Sequence, residues 1–329
     1  GAIKFFLLGV LSASLILYGF SLLYGLTGEL IFSEISKILL VKNLSTSPAA
    51  LLSVMLILAG IGFKISVVPF HSWAPDTYEG SPLPVTAYLS VSSKATGFVA
   101  LMIILTKVFP DSGSSWGIVL VFISGLTMFI GNLSALQQSN PVRLLAYSSI
   151  AQAGFILAPL AVAGISGDYA DGIYASVTYL IIYAFMNLGA FLVVNVLINT
   201  SGSNDIYEWG GLAKHQPLTA IFATVFFFSL AGIPPLGGWF AKFVVFRSLL
   251  STGEVYGIIL AIIGAINAVI GLVFYARISK IIWMDSPSEN ITINTKPVLL
   301  SPLKVVGFIS LVITFLAGIF PNIFSNLGN

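Results

Sequence analysis

The stretch GFKISVVPFHSWAPDTYEGSPLPVTAYLSVSSK, residues 62–94, decides the fold. An apolar run reaches Lys64 and is interrupted at Pro69. It then passes through a polar segment that starts at His71 and re-enters an apolar run that carries Lys94. Proline breaks helices because it has no N–H group, and a charge inside hydrocarbon costs about 2.5–3.5 kcal/mol on insertion scales. The pattern therefore predicts a discontinuous membrane helix with functional lysines.

A second interrupted stretch, SLAGIPPLGGWFAKF at residues 229–243, repeats this design, with Lys242 shortly after Pro234 and Pro235. In secondary transporters, discontinuous helices at corresponding positions of two repeats form the transport site. The recurrence therefore favours an ion path that includes Lys64 and Lys242. A helix break also frees backbone carbonyl groups, so lysines that only bind these carbonyls are the alternative.

The composition indicates an all-α polytopic membrane protein. Hydrophobic residues make up 57% of the chain and charged residues 8%, whereas about 25% of a typical soluble domain is charged. The apolar runs are continuous rather than alternating, which is typical of membrane helices and not of barrel strands. The charges form no basic run, so we expect the lipid bilayer and no nucleic acid as a partner. Without cysteine, a thiolate metal site is excluded.

We predict about nine membrane spans, with Lys94 near the middle of the third. The predicted spans are residues 2–26, 49–68, 83–108, 116–138, 143–163, 173–199, 216–250 (broken), 255–283 and 302–320. After the first span, IFSEISKILL predicts a short amphipathic helix in the membrane interface. The chain begins without Met and enters a span almost at once, so we expect further residues before Gly1.

Basic residues in short loops predict the orientation, because they favour the cytoplasmic side. With alternating spans, one side, called side A, receives seven basic residues and the other, side B, receives four. Side A holds Lys4, Arg143, Lys214, Arg277, Lys280, Lys296 and Lys304, and side B holds Lys37, Lys42, Lys107 and Arg247. We therefore expect side A to be cytoplasmic.

Lys94 is the strongest candidate for a proton carrier. It is more than ten residues from either end of its span, which is too deep for the ammonium group to reach water easily. Burial penalises the charged form, so such a lysine can gain and lose a proton near neutral pH. A structural lysine, paired with a carboxylate or with backbone carbonyls, is the alternative. His71 suits proton transfer by its ordinary pKa, although a lone histidine there can also be structural.

The remaining polar residues predict supporting contacts. Asp76 and Glu79 are expected to cap the short helix after the break or to pair with loop cations, and Arg143 is expected to anchor the orientation. No carboxylate lies within the predicted spans, so the lysines need a counter-charge from preceding residues or from another chain. Residues expected to hold water chains or interhelical hydrogen bonds are Tyr147, Tyr179, Tyr183, Asn187 and Asn267.

The two interrupted stretches, together with IGNLSALQQSNPVRLLAYSSIAQAGF and YASVTYLIIYAFMNLGAF, resemble the antiporter-like membrane subunits of complex I. The likeness runs from Lys4 to about Lys280, and the motifs are long and occur in the same order. One departure is Val142-Arg143, where many relatives have two basic residues. The resemblance implies an antiporter-like helix bundle with two discontinuous helices and two inverted repeats.

The resemblance implies a division of this chain and a set of relay residues. Residues 1–163 would be the end of the first repeat, 164–283 the second repeat, and 284–329 a C-terminal helix region. The relay of the family would correspond to Lys64, Lys94 and Lys242, preceded by a glutamate before Gly1, and His71 matches a common histidine. Redox cofactors are not expected in this chain. NADH and quinone would be used by the whole complex, with other membrane subunits as partners.

The function implied is proton translocation coupled to quinone reduction, in a bacterial inner membrane or in a thylakoid membrane. A subunit of a multi-subunit cation/proton antiporter is the alternative, because that group shares the lysines. A scaffold that only carries neighbouring subunits is a third hypothesis. It predicts that single replacements of Lys64, Lys94 and Lys242 leave activity intact.

Overall fold

The structure is a computed structural model that describes residues 1–286 and 301–325. Within these residues every regular element is helical. The α-helices are α1 Ala2–Thr27, α2 Phe32–Val41, α3 Pro48–Ile65, α4 Trp73–Glu79, α5 Leu83–Tyr88, α6 Lys94–Val108, α7 Gly113–Leu136, α8 Pro141–Ser166, α9 Tyr169–Ser201, α10 Leu212–His215, α11 Pro217–Ala231, α12 Gly237–Ser251, α13 Val255–Met284, α14 Ser301–Ile319 and α15 Asn322–Ser325.

The predicted all-α polytopic fold is confirmed. In the described part of the chain, seven helical segments are long and apolar enough to cross a membrane. They are α1, α3, the segment from α5 to α6, α7, α8, α9 and α13. The broken pair α11–α12 and the shorter helix α14 occupy the remaining two predicted spans. The prediction of nine spans therefore agrees with the order of the helices.

Helix α8 is the centre of the bundle. Nearly all of it is buried, and it packs against α4, α7, α9, α12 and α13. Its start is well defined, because Asn140 caps the backbone N–H groups of Val142 and Arg143 at 2.9 and 3.2 Å and Pro141 occupies the first helical position. A helix in this position can present polar side chains to several neighbours at once.

The first break has polar contacts for its backbone. Helix α3 ends at Ile65, and Ser66 takes the left-handed conformation with φ of 59°. The indole N–H of Trp73 donates to the Phe63 carbonyl at 2.9 Å, and the hydroxyl of Thr127 on α7 accepts from the Val68 N–H at 3.0 Å. The predicted helix to residue 68 is therefore three residues too long, because the residue before a proline avoids the helical conformation.

The second break lies where the sequence predicts it. Helix α11 ends at Ala231, Gly232 has φ of 94°, and α12 begins at Gly237. A left-handed φ favours glycine, which has no Cβ to clash. The hydroxyl of Ser229 accepts a hydrogen bond from the Gly238 N–H at 3.1 Å, which ties the two half-helices together.

A feature that sequence periodicity did not predict lies before Lys94. Residues Leu89–Ser93 form a π-helical turn between α5 and α6. The helical path from residue 83 to residue 108 is therefore continuous but contains one wide turn. Such turns are rare and occur often at functional sites. Lys94 follows the turn directly and lies near the middle of the span, as predicted.

The predicted separation of Lys4, Arg143 and Arg277 from Arg247 is confirmed. Lys4 and Arg143 both bind Asp76, and Arg277 donates to the Gln138 carbonyl at 3.4 Å, so these side A residues share one end. Arg247 pairs with Asp171 at 2.9 Å after the far end of α8. Lys296 and the side chain of Lys304 lie outside the described residues.

Helix α2 buries Ile35 and Leu39 and pairs Lys37 with Glu34 on its exposed face.

Close packing between α7 and α8 requires glycine at residue 131. A Cβ there would lie 2.5 Å from the backbone nitrogen of Ala151, whereas a Cβ at Gly25 on α1 would meet nothing within 4 Å. We expect Gly131→Ala to lower the free energy of unfolding by about 1–3 kcal/mol, because the two helices must separate. Gly25→Ala should keep or slightly raise it. Thermal unfolding in detergent measures both, and equal melting temperatures would contradict this packing.

Candidate functional site: two buried lysines joined by polar side chains

Lys94 is buried against α8. Only 1% of its surface is exposed, and its Nζ donates to the carbonyl oxygen and the hydroxyl of Ser149 at 2.8 and 2.9 Å. The described residues offer it no carboxylate. Of the predicted structural alternatives, contact with a backbone carbonyl is therefore observed. Two neutral acceptors hold the ammonium group without fixing its charge by a counter-ion, which suits a group that changes protonation.

Polar side chains from α9 surround the π-turn beside Lys94. The amide nitrogen of Asn187 donates to the Ser90 hydroxyl at 2.8 Å, and the Tyr183 hydroxyl donates to the Ser90 carbonyl at 3.4 Å. Within the described part of the chain, the amide oxygen of Asn187 and the hydroxyl of Tyr78 are buried without a hydrogen-bond partner. The hydroxyl groups of Tyr78 and Tyr183 both lie near Ser149. Buried polar atoms of this kind usually bind water.

Lys242 binds the carbonyls that the second break sets free. Its Nζ donates to the carbonyl oxygens of Leu230 at 3.2 Å and Ala231 at 2.6 Å, in the last turn of α11. It also lies 5.1 Å from the centre of the Phe155 ring, a favourable distance for a cation. The last four carbonyls of any helix have no partner in that helix. Lys242 thus binds freed backbone carbonyls, as the structural alternative predicts. Such neutral acceptors are compatible with both the charged and the neutral lysine.

Side chains of α8 connect the surroundings of the two lysines. Gln152 lies one turn after Ser149, and its amide nitrogen donates to the Leu230 carbonyl at 3.1 Å. The same carbonyl accepts from Lys242. The Tyr179 hydroxyl donates to the Gln152 side-chain oxygen, and the hydroxyl groups of Ser148 and Tyr275 share a short hydrogen bond. A series of polar groups therefore extends from Lys94 to Lys242 through α8.

Sequence reasoning missed the α8 side chains of this series. Ser148, Ser149 and Gln152 are all buried, and none was among the predicted site residues. A signal was available, because Ser149 and Gln152 are polar, three residues apart and surrounded by apolar residues. The predicted interhelical hydrogen bonds of Tyr179, Tyr183 and Asn187 are confirmed, and Asn267 binds Asn132 at 3.0 Å.

The structure does not bring Lys64 into this series. Lys64 lies in the last turn of α3, as predicted, but its side chain is exposed rather than buried. Among the described residues it makes no hydrogen bond or ion pair, and its stem lies beside Gly97 of α6. The role of Lys64 in an ion path therefore stays a prediction, and its side chain is exposed in the described bundle. The reason is positional, because the face of α3 that carries Lys64 is not covered by another described helix.

His71 lies in the first break and is also separate from the two buried lysines. It is half-buried, and its Nδ1 atom is buried without a partner among the described residues. Burial lowers the pKa of His71 below its ordinary value, and the nearby Pro69 carbonyl partly opposes this effect. The neutral imidazole is therefore favoured at neutral pH.

A cluster of charges, the side-A cluster, joins three helices at the start of α8. It consists of Lys4, Asp76, Glu79 and Arg143. Arg143 donates to Asp76 at 2.9 Å and to Glu79 at 2.7 Å, and Lys4 binds the other oxygen of Asp76. Pairing with cations, one of the two roles expected for Asp76 and Glu79, is confirmed. Lys4, and then Arg143, hold the pKa of Asp76 below its ordinary value.

No group of three or more His, Asp or Glu side chains within residues 1–286 and 301–325 is arranged to hold a metal ion. The chemistry that the described site offers is proton exchange, hydrogen bonding and electrostatics.

Comparison with known proteins gives consistent matches. Residues 1–271 match the family model described as NADH:quinone oxidoreductase/Mrp antiporter, TM. The chain is 40% identical over 325 residues to NADH-quinone oxidoreductase subunit N of Moorella thermoacetica, covering 98% of this chain and 65% of that protein. It is 41% identical over 329 residues to NAD(P)H-quinone oxidoreductase subunit 2 of a Picosynechococcus species, covering 98% and 61%.

A solved structure shares the fold and part of the sequence. A chain of respiratory complex I from Thermus thermophilus superposes with a TM-score of 0.78 at 28% identity, covering 98% of this chain and 67% of that one. The present chain thus spans less than two thirds of the length of the two relatives named above.

Replacement of Gln152 tests the hydrogen bonds by which α8 connects the surroundings of the two lysines. Gln152→Leu removes the acceptor of the buried Tyr179 hydroxyl and one donor to the Leu230 carbonyl. We expect the free energy of unfolding to fall by about 1–3 kcal/mol, because a buried hydroxyl loses its partner. Adding Tyr179→Phe should restore part of this loss. Thermal unfolding of the single and double variants measures it, and strictly additive losses would contradict the contact.

The lowered pKa of Asp76 predicts that the stability of the fold depends on pH. The pKa of Asp76 is lower in the folded chain than in the unfolded one. Its carboxylate therefore stabilises the fold at pH values above the ordinary pKa of 3.8, and this contribution is lost as the pH falls through the lowered pKa. Asp76→Asn should therefore cost about 1 kcal/mol at neutral pH. The melting temperatures of variant and wild type should converge below about pH 4. A constant difference across this range would argue against the ion pairs.

Proposed function

Because the chain belongs to the NADH:quinone oxidoreductase/Mrp antiporter family of transmembrane proteins, we propose that it is a proton-translocating membrane subunit of a quinone oxidoreductase, of the type called subunit N. The electron donor would be NADH, or NADPH or ferredoxin. The observation that supports translocation most directly is the pair of buried lysines joined by polar side chains through α8.

Lys94 and Lys242 act as the proton carriers in this proposal. Each is held by neutral oxygen atoms, so each can be charged or neutral without leaving a buried carboxylate unpaired. Two ammonium groups in one low-dielectric interior repel each other, so a proton that arrives at Lys94 favours release from Lys242. Local electrostatics thereby passes charge along the bundle without movement of whole helices.

The path between the lysines consists of groups that can exchange hydrogen bonds. Ser149, Ser148, Tyr275 and Gln152 lie along one side of α8 or against it. Hydroxyl groups both donate and accept and can rotate, which allows a proton to pass with the help of water. The glutamine carries no exchangeable charge of its own, so it would orient this path rather than store the proton.

Lys64 and His71 would act at the entry of the relay. The resemblance implies a glutamate before Gly1 as the counter-charge of Lys64, and the exposed ammonium group of Lys64 could accept such a partner. Separation of that pair would favour the neutral lysine and send the proton toward Lys94. His71, favoured as neutral imidazole, can accept a proton in the first break.

The energy must come from elsewhere, because moving one charge against the membrane potential costs about 2.3 kcal/mol per 100 mV. We propose that redox chemistry on other subunits supplies it, and that NADH and quinone bind there. Neighbouring antiporter-like and small membrane subunits would be the partners. Protons would enter from a cytoplasmic side A and leave at side B, across a bacterial inner membrane or a thylakoid membrane. The division into repeats at residues 163 and 283 belongs to the same proposal.

A subunit of a cation/proton antiporter is the second candidate, because the family description includes Mrp antiporters. The identity of about 40% to quinone oxidoreductase subunits favours the first candidate. Sodium-dependent transport without an electron donor would favour the second.

Replacement of Lys94 tests the proposal, with Lys107 on the same helix as a matched control. Lys94 is buried, whereas Lys107 is exposed at the helix end. In vesicles that contain the whole complex with the full-length subunit, Lys94→Ala should reduce proton pumping at least about tenfold, because the buried carrier is lost. Lys107→Ala should pump as the wild type does. Proton uptake and quinone reduction are recorded together.

Normal pumping by a fully assembled Lys94→Ala complex would refute the relay and leave the scaffold hypothesis. Loss of pumping in both variants would point to general disruption of the bundle.

A further inference from the structure

We propose that Arg143 is a positioning residue for Lys94, which acts by clamping α4 onto the start of α8 so that Tyr78 stays beside Ser149, the residue that binds the buried lysine. The inference rests on the proposed function of Lys94 as a carrier. It assigns a role to the side-A cluster, which that function does not use.

The side-A cluster attaches α4 to α1 and α8 through charged side chains. Arg143 binds carboxylates at both the middle and the end of this seven-residue helix, through Asp76 and Glu79. Asn140, the cap of α8, adds a hydrogen bond to Glu79 at 3.1 Å. The Arg143 and Asp76 side chains are partly buried, with 28% and 27% accessible, whereas Glu79 is more exposed, with 42% accessible. Pairs with this much burial are stronger than fully exposed ones.

Helix α4 contributes directly to the surroundings of Lys94. Tyr78, between Asp76 and Glu79, is fully buried, packs edge-on against Phe191 and directs its hydroxyl toward Ser149. Ser149 in turn provides both acceptors of Lys94. The Tyr78 carbonyl accepts from the Thr86 hydroxyl at 3.0 Å, which links α4 to the helix that leads into the π-turn. A displacement of α4 therefore reaches Lys94 by two routes.

Removal of Arg143 would leave two carboxylates at one end of α4 with too few cations. Asp76 would keep Lys4, and Glu79 would keep only the amide of Asn140. Like charges that are no longer bridged favour separation of α4 from α8 and entry of water beside Tyr78. Within the bundle, the consequence falls on Ser149, because it lies near the Tyr78 hydroxyl and provides both acceptors of Lys94.

The chain offers a matched control at the same end of the bundle. Lys280 on α13 pairs with Asp285 at 3.1 Å and is exposed, and neither residue belongs to the side-A cluster. Lys280→Gln thus removes a side A cation and an ion pair without loosening the clamp. Any effect that depends only on the charge of this surface should appear in both variants.

The experiment compares Arg143→Gln, Arg143→Lys and Lys280→Gln in vesicles that contain the whole complex. The readouts are protons pumped per electron, the pH profile of pumping, and the amount of assembled complex. We expect Arg143→Gln to pump roughly fivefold less. Its pH profile should also shift, because water that enters beside Tyr78 changes the surroundings of the Lys94 ammonium group. Arg143→Lys should restore much of both, and Lys280→Gln should match the wild type.

The double variant Asp76→Asn with Glu79→Gln provides a second test if Arg143→Gln fails to assemble. It removes the carboxylates instead of leaving them unpaired, so the fold suffers less, yet the clamp is equally lost. The same shift of the pH profile is expected.

An unchanged pH profile with normal pumping per assembled complex would overturn the inference, even if less complex assembles. An equal shift in Lys280→Gln would overturn it as well. These outcomes are distinct from a failure of the proposed function, which would appear as normal pumping by Lys94→Ala.

Discussion

Backbone carbonyl groups in an apolar bundle need donors, and this constraint determines where the polar side chains of the structure lie. The end of α11 leaves the Leu230 and Ala231 carbonyls unpaired inside the protein. Lys242 and Gln152 both supply donors there, one from the second half of the broken helix and one from α8. The helix break, Lys242 and Gln152 are therefore related, because both side chains donate to carbonyl groups that the break leaves unpaired. Removal of Lys242 would take its donor from the Ala231 carbonyl, whereas the Leu230 carbonyl would keep Gln152.

The two breaks look alike in sequence but satisfy their backbone groups differently. At the first break, neutral side chains do this work, since Trp73 donates to a carbonyl and Thr127 accepts from an N–H. At the second break, Lys242 donates to the Ala231 carbonyl. The lysine of the first break is consequently free for another partner. A shared proline motif thus specifies the interruption of a helix, whereas the surrounding helices decide what the nearby charge binds.

The sequence predicts well what depends on local properties. The order of the spans and both breaks follow from hydrophobicity and proline, and the depth of Lys94 follows from counting residues. The exposure of Lys64 could not be predicted, because it depends on which helices cover one face of α3. The partners of Gln152 could not be predicted either, because one of them is a backbone atom 78 residues away in the chain. Long-range packing is the information that a single sequence lacks.

The number of residues in the π-turn before Lys94 determines the direction in which the Lys94 side chain points. One extra residue per turn rotates everything after it by about 100° relative to a uniform helix. Thr86 and Lys94, eight residues apart, are thereby brought toward one side of the helix, where Thr86 contacts α4 and Lys94 contacts α8. A deletion within Leu89–Ser93 would preserve the chemistry of the span and still turn the ammonium group away from Ser149. Insertions and deletions in this segment should thus be tolerated far less than conservative exchanges of its residues.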